Sequence, residues 1–153
     1  MGYVEDLRKV IGHRPIILVG SVVLLINDQD EILLQKRKEP YGVWGLPGGL
    51  MELAESTEET AKREVYEETG LTVGNLELIN VFSGNENYCK LQNGDEFYVV
   101  TIAYFCNDFS GVVKTNEEEG LETVFFPLRS LPEKLVGSHR KMVQTYIKKF
   151  TSL

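Results

Sequence analysis

The segment from residue 48 to residue 71, GGLMELAESTEETAKREVYEETGL, predicts a helix whose two ends are both defined. Ser56, followed three residues later by Glu59, forms a capping box in which each side chain bonds the backbone N–H of the other residue. Gly70 can adopt the left-handed conformation that ends many helices. We therefore expect a helix from about Thr57 to Thr69, directly after a glycine-rich loop.

Three glutamates crowd one side of this helix. At 100° per residue, Glu64, Glu67 and Glu68 fall within an arc of about 100°. Ala61 and Val65 occupy the adjoining arc, which is expected to face the core. Like charges at this spacing destabilise a helix by roughly 0.2–0.5 kcal/mol per pair. The glutamates could be solvated surface, but their carboxylates and the carbonyls of the glycine-rich loop are also the hard oxygen ligands that suit Mg²⁺ or Mn²⁺.

Strands are predicted on both sides of the central helix. Apolar residues at helical spacing predict a short helix over residues 2–11. The runs IILVGSVVLLI (16–26) and EILLQKR (31–37) are expected to pair as a hairpin across the turn NDQD. Three strands are expected after the central helix, in LTVGNLELINVFSG, YCKLQ and EFYVVTIAYFC, and a fourth over residues 120–127. A last helix is expected to begin at a Ser138 cap.

This order of elements indicates an α/β or α+β fold, with a mixed sheet between helices. The length of 153 residues fits one domain, residues 1–153, with a core that needs no disulfide support. Cys89 and Cys106 form no C-x-x-C motif, so neither a disulfide framework nor a zinc site is indicated, and both are expected to be buried.

Charge and hydropathy narrow the classes of partner. The chain has 16 Lys and Arg against 23 Asp and Glu, a net charge of −7, which offers no general attraction to nucleic acid or anionic lipid. The first residues lack the apolar core of a signal peptide, and no run approaches the roughly 18 apolar residues of a membrane span. We expect a cytoplasmic protein with no membrane or DNA partner, which could form a homodimer.

The glutamate segment resembles the Nudix box, G-x5-E-x7-R-E-U-x-E-E-x-G-U, in which U is a bulky aliphatic residue. The nine fixed positions are all matched within residues 49–71, by Gly49, Glu55, Arg63, Glu64, Val65, Glu67, Glu68, Gly70 and Leu71. The preceding WGLPGG and LLQKR also resemble the residues before the box in this family. The resemblance implies a Nudix-type α/β/α sandwich. It also implies a hydrolase that cuts the pyrophosphate of a nucleoside diphosphate linked to another moiety, with Mg²⁺ or Mn²⁺.

The resemblance also implies roles for the residues of the box. Glu67 and Glu68 would be the principal metal ligands, and Glu64 would be a further ligand or the base that activates water. Gly48 would offer its backbone carbonyl. Such cations would supply the positive charge that an acidic chain needs to hold an anionic substrate.

The resemblance also implies supporting roles for Arg63, Glu55 and an acidic residue beyond the box. Arg63 would orient Glu67, and Glu55 would brace the loop or contact a second metal through water. Family members often recruit another acidic ligand from a loop beyond the box. Glu118 or Glu119, in the run EEE that starts at residue 117, is the candidate here, although this run could equally be a solvated turn.

The residues that would determine substrate specificity lie outside the box. Arg37 could contact phosphate, as could the lysines on either side of it. Trp44 could stack on a base, although anchoring of its loop against the core is the favoured interpretation. His13 and His139 are expected to be exposed and receive no role.

Two markers near residue 88 leave the substrate open. Tyr88 lies seventeen residues past Leu71, near where enzymes acting on diadenosine polyphosphates have a tyrosine. Enzymes acting on ADP-ribose tend to have a proline about fifteen residues past the box, where this chain has Glu86. A nucleotide sugar, a dinucleoside polyphosphate and a (d)NTP all remain candidate substrates.

Two other functions remain as alternatives. A nucleotide-sensing module without catalysis would usually have lost box glutamates, and this chain has lost none. A 5′-end RNA pyrophosphohydrolase would be expected to carry a basic track, which the sequence lacks. We therefore expect a pyrophosphohydrolase of a small nucleotide.

Overall fold

The computed structural model describes residues 2–153, and Met1, the first residue of the expected domain, lies outside them. Its helices and strands, in chain order, are α1 (Tyr3–Ile11), β1 (Ile16–Leu25), β2 (Glu31–Arg37), β3 (Trp44–Gly45), β4 (Gly48–Leu50), α2 (Thr57–Thr69), β5 (Thr72–Val73), β6 (Glu77–Phe82), β7 (Tyr88–Lys90), β8 (Glu96–Cys106), β9 (Phe109–Ser110), β10 (Gly120–Pro127) and α3 (Gly137–Phe150). The predicted bounds of α2 and β10 are confirmed.

The largest sheet has five strands in the order β4-β1-β8-β6, with β7 also paired to β8. β1 and β8 run parallel over ten residue pairs, from Ile16 with Phe97 to Leu25 with Cys106. The pairings of β4, β6 and β7 are antiparallel. The sheet is therefore mixed, as expected, and its central strand β1 is apolar enough to need cover on both faces.

The predicted hairpin of β1 and β2 is wrong beyond its turn. The two strands meet at a bridge between Ile26 and Ile32, and then separate. β2 pairs with β10 and β3 in a second sheet of three strands. The strands separate because each of them is apolar on both faces. Adjacent residues of β1, such as Val23 and Leu24, belong to two different core clusters. The separation opens a cleft between the two sheets.

The two core clusters place α2 and α3 on opposite sides of the main sheet. Ala61 and Val65 of α2 pack with Val23, whereas Met142 and Val143 of α3 belong to the other cluster. Adjacent residues of a strand point to opposite faces, so the layers are helix, sheets and helix. The expected α/β/α sandwich is confirmed. Within residues 2–153, no helix is long and apolar enough to cross a membrane.

Three local expectations need correction. Residues 71–84 contain two short strands, β5 and β6, in place of one. α3 begins at Gly137, ahead of Ser138, and no side chain caps it. Cys106 is buried as expected, but Cys89 on the short strand β7 is partly exposed.

Candidate active site

Helix α2 has the caps that its sequence predicts. The Ser56 hydroxyl accepts the Glu59 N–H at 3.0 Å, and a Glu59 carboxylate oxygen accepts the Ser56 N–H at 2.9 Å. Gly70 ends the helix in the left-handed conformation, with φ of 77°. Ala61 and Val65 are fully buried, which fixes the rotation of the helix and turns its glutamates toward the glycine-rich loop and β4.

The three box glutamates differ in burial. Glu67 is exposed, Glu64 is partly buried, and Glu68 is only 7% exposed. An Oε1 atom of Glu68 accepts the backbone N–H of Gly48 at 2.8 Å. Burial raises the pKa of Glu68 to about 8, although the Gly48 hydrogen bond and the Arg37 charge act in the opposite direction. A buried carboxylate of this kind is stabilised in its charged form by any cation placed beside it.

Arg63 connects the acidic residues of the box. Its guanidinium donates to Glu55 at 2.6 Å, to Glu64 at 2.8 Å and to Glu67 at 3.4 Å, and also to the backbone carbonyl of Leu50 at 3.1 Å. The hydrogen bond from Arg63 is the main reason that the pKa of Glu55 is lowered to about 2. The expected partner Glu67 is thus the most distant of the three carboxylates, and Glu55 and Glu64 are held more closely.

The glycines of the loop allow β4 to approach its neighbours closely. A Cβ atom on Gly48 would lie 2.2 Å from the Ser21 carbonyl oxygen, and one on Gly49 would lie 2.4 Å from the carboxyl carbon of Glu64. Real Cβ atoms do not reach such distances, so a side chain at either position would push β4 away. Glycine at both positions therefore lets the backbone lie against β1 and Glu64.

The donor set suits a hard divalent cation. Within residues 2–153, no three His, Cys, Asp or Glu side chains converge as a preformed cation site, since Arg63 holds Glu64 and the Gly48 N–H holds Glu68. The chemistry of the donors nevertheless fits, because carboxylates and a backbone carbonyl next to a buried glutamate are the ligands that Mg²⁺ and Mn²⁺ take in proteins.

The acidic run after β9 is fixed against the end of α2. The side-chain amide of Asn116 donates to the backbone carbonyl of Glu67 at 3.2 Å, and its Oδ1 accepts the Glu118 N–H at 3.1 Å. From the end of β2, the Lys38 ammonium donates to the carbonyl of Glu117. The turn is therefore tied both to α2 and to the residue that follows β2.

Glu119 is the residue of this run that is coupled to the box. Burial is the largest cause of the raised pKa of Glu64 and of Glu68, and the negative charge of Glu119 adds to both. Its own side chain is exposed. Between the two candidates Glu118 and Glu119, the arrangement favours Glu119 as an additional ligand.

Arg37 lies at the wall of a cavity of about 270 Å³. Burial lowers the pKa of Arg37, and the Glu68 charge opposes this change. The neighbouring Lys36 pairs with Glu122 at 3.8 Å, and Lys38 contacts the acidic turn. Arg37 itself has no carboxylate within 4.0 Å among residues 2–153. The other walls of the cavity include Val22, Leu46, Gly48, Phe97, Val99 and Thr101.

The structure separates the two aromatic candidates. Trp44 is not part of the cavity wall, and its ring packs edge-on against Phe126 with centroids 4.7 Å apart. It therefore anchors its loop, and its position does not support a substrate contact. Tyr88 does line the cavity. Its hydroxyl donates to Glu96 at 2.5 Å, and its ring packs against Tyr98 with centroids 5.2 Å apart.

The expectation that His139 is exposed is wrong. The imidazole is 8% exposed, lines the same cavity, and accepts the Leu46 N–H on Nδ1 at 3.0 Å. Burial, followed by the charge of Arg37, lowers the pKa of His139 to about 3, so the ring is neutral. A signal was present in the sequence, because His139 is three and seven residues before the buried Met142 and Tyr146 and so shares their helix face.

The chain is similar to known proteins along most of its length. Residues 17–146 match the family described as NUDIX domain. The chain is 33% identical to an ADP-ribose pyrophosphatase of Methanocaldococcus jannaschii over 147 residues, which are 94% of this chain and 80% of that protein. It is 29% identical to the 8-oxo-dGDP phosphatase NUDT18 of Mus musculus over 74% of this chain, but only 33% of the mouse protein. A MutT NUDIX hydrolase structure from Burkholderia pseudomallei superposes with a TM-score of 0.73 at 29% identity, over 86% of this chain and 98% of that one. The chain belongs to the NUDIX domain family and is a hydrolase of nucleotide pyrophosphate bonds.

Proposed function

We propose that this enzyme hydrolyses the pyrophosphate of an ADP-ribose-like substrate, a nucleoside diphosphate joined to a sugar, and that its ion is Mg²⁺ or Mn²⁺. The observation that carries the proposal is the buried Glu68 carboxylate, which accepts the N–H of Gly48 at 2.8 Å, since Gly48 and Arg37 both line the cavity. The name of the M. jannaschii relative, similar along 94% of this chain, supports the substrate class.

An oxidised guanine nucleotide is the second candidate substrate. The mouse relative is named as an 8-oxo-dGDP phosphatase. In addition, Glu86 occupies the position at which ADP-ribose enzymes tend to have a proline, and it lies at the cavity wall. Both candidates contain a purine nucleoside diphosphate, so they require the same phosphate site and differ in what lies beyond it.

Glu67 and Glu68 would hold the cation, with the Gly48 carbonyl and Glu119 as further ligands, and Glu64 would act as the base beside it. When bound, the cation neutralises pyrophosphate oxygens and lowers the pKa of water. Arg37 would bind a phosphate oxygen, because it lines the cavity and forms no ion pair among the described residues.

The hydrogen bonds of Arg63 allow a specific role for Glu64. The Arg63 guanidinium donates a hydrogen bond to Oε1 of Glu64 at 2.8 Å. Oε2 of Glu64 accepts no hydrogen bond from residues 2–153. Oε2 can therefore accept the proton of the attacking water as the phosphorus–oxygen bond forms. Arg63 and Glu55, paired at 2.6 Å, hold this carboxylate in place and act as positioning residues.

The test compares two substitutions on the same helix. Glu68→Gln removes the buried carboxylate, and Glu58→Gln changes an exposed glutamate in the first turn. Each protein is assayed with ADP-ribose, 8-oxo-dGDP, diadenosine polyphosphates and dNTPs, with Mg²⁺ or Mn²⁺, in ¹⁸O-labelled water. Mass spectrometry of the products identifies the broken bond.

Glu68→Gln is expected to lower kcat by at least about 100-fold with an unchanged far-UV circular dichroism spectrum, because it removes a ligand of the catalytic cation. Glu58→Gln should stay within about twofold of wild type. Wild-type turnover by Glu68→Gln would refute the metal assignment. Nucleotide binding without any product would instead favour a sensing module, and turnover confined to 5′-triphosphorylated RNA would favour the RNA alternative.

A further inference from the structure

The second ring nitrogen of His139 has no role in the proposed chemistry. Nδ1 accepts the backbone N–H of Leu46 at 3.0 Å. Since the ring is neutral, its single proton is on Nε2. The backbone of the loop before β4 therefore fixes the tautomer, and Nε2 is a hydrogen-bond donor of known direction relative to Leu46.

This donor is open to the cavity. Within residues 2–153, the sealed side-chain nitrogen and oxygen atoms without a partner are Arg8 Nε and Gln35 Nε2. His139 Nε2 is not one of these sealed atoms, and it forms no hydrogen bond with any described residue of the chain. His139 as a whole is 8% exposed. It must therefore border accessible space, and the space that His139 lines is the cavity beside Arg37.

The cavity wall combines charged and neutral groups. Arg37 is the cationic group in its wall and is coupled to Glu68 of the glutamate face. His139 offers a dipole without charge, and the same wall includes the apolar side chains of Leu46, Phe97 and Val99 as well as the polar residues Thr101 and Ser138. An apolar surface with a few directed polar groups is typical of a site for a flat, uncharged ring system, whereas phosphate requires charge.

We propose that His139 is a specificity-determining residue that donates Nε2–H to an acceptor atom on the edge of the substrate's nucleobase. The inference rests on the proposed function, in which the pyrophosphate lies between Arg37 and α2. The base then extends along the apolar wall, and its acceptor, a ring nitrogen or a carbonyl oxygen, meets the imidazole.

Two substitutions separate this role from the support that His139 gives to the fold. In His139→Asn, the side-chain oxygen can take the place of Nδ1 and accept the Leu46 N–H, but the chain is too short to place a donor where Nε2 was. In His139→Gln, the amide nitrogen can reach the position of Nε2, while the acceptor for Leu46 is lost.

His139→Asn is expected to raise KM about three- to tenfold, with kcat within about twofold of wild type, because one neutral hydrogen bond to bound substrate is lost. His139→Gln should keep KM within about twofold, even though its melting temperature falls further than that of His139→Asn. An equal rise of KM in both variants would overturn the proposal, since binding would then follow the fold and not the donor.

Nuclear magnetic resonance of the wild-type protein gives a readout that needs neither catalysis nor metal. The chain has two histidines, so the Nε2 signal of His139 is identified by its loss in His139→Asn. In EDTA, this signal is expected to shift with saturation on addition of adenosine or guanosine monophosphate, and of the free nucleosides, but not of inorganic pyrophosphate.

A shift with pyrophosphate alone would place His139 at the phosphates and overturn the proposal, as would the absence of any shift with both mononucleotides. Failure of the proposed function looks different. In that case wild-type protein hydrolyses none of the nucleotides, while the mononucleotides still shift the Nε2 signal.

Discussion

Acidification should destabilise the fold through His139. The imidazole is buried and neutral, and its pKa is lowered to about 3 by burial and by the charge of Arg37. Above its unfolded pKa of about 6.5 the ring is neutral in both states, and the effect is absent. Below that value the unfolded chain binds a proton that the folded protein does not bind. Stability is therefore lost as the pH falls from about 6.5 toward about 3.

The size of the loss follows from the two pKa values. Linkage gives about 1.4 kcal/mol per pH unit within this window, so the unfolding free energy falls by about 2 kcal/mol between about pH 7.5 and pH 5. The loss of unfolding free energy at pH 5 is nearly the same for any pKa of folded His139 below about 4, because folded His139 is then still neutral at pH 5.

His139→Asn is the matched control, because its side chain can still accept the Leu46 N–H but does not titrate. Urea unfolding in EDTA can be followed by fluorescence of Trp44, the single tryptophan. Glu68, whose pKa is raised to about 8 mainly by burial, has the opposite effect, since its contribution to stability is lost as the pH rises. The difference between wild type and variant removes this common contribution.

The difference in unfolding free energy, wild type minus variant, should fall by about 2 kcal/mol from pH 7.5 to pH 5. A difference that stays constant within about 0.5 kcal/mol would mean that His139 titrates normally in the fold. The reasoning about its burial and tautomer would then be refuted.

Three further substitutions test other parts of the site. Ser56→Ala removes the cap of α2 and should lower the unfolding free energy by about 1 kcal/mol in urea; an unchanged value would contradict the capping role. Gly49→Ala would place a Cβ atom 2.4 Å from the carboxyl carbon of Glu64, so turnover should fall at least about tenfold with an unchanged circular dichroism spectrum, and normal turnover would show that β4 can move. Arg37→Ala should raise KM for the nucleotide about tenfold or more without loss of stability, whereas Lys38→Ala should stay within about twofold; the reverse order would assign phosphate binding to Lys38.

The central helix was predictable because its information is local. The capping box at Ser56 and the stop at Gly70 are read from neighbouring residues, and the structure has α2 at the predicted bounds. The spacing of the glutamates within α2 follows from the helix period. The burial of Glu68 does not, because it depends on β4, which packs against one edge of the glutamate face and leaves Glu67 exposed.

The hairpin and His139 show where local information ends. A short polar turn between two apolar runs predicts pairing, but β1 has a longer parallel partner in β8 and β2 an antiparallel one in β10. Those partner strands lie tens of residues away along the chain, so the residues near β1 and β2 in the sequence do not indicate them. His139 was predicted to be exposed because it lies near the start of α3, although the helix period already places it on the buried face of that helix.

The divergence of β1 and β2 also bears on how such an enzyme could acquire a new substrate. Beyond the bridge of Ile26 with Ile32, no ladder joins the two strands, so side-chain packing and not backbone hydrogen bonds sets the width of the cavity between their sheets. Substitutions at wall positions such as Leu46 or Val99 can therefore reshape the cavity while α2 keeps its caps and its acidic residues. Laboratory selection for a different nucleotide should accordingly accumulate changes in these walls and leave the glutamate helix intact.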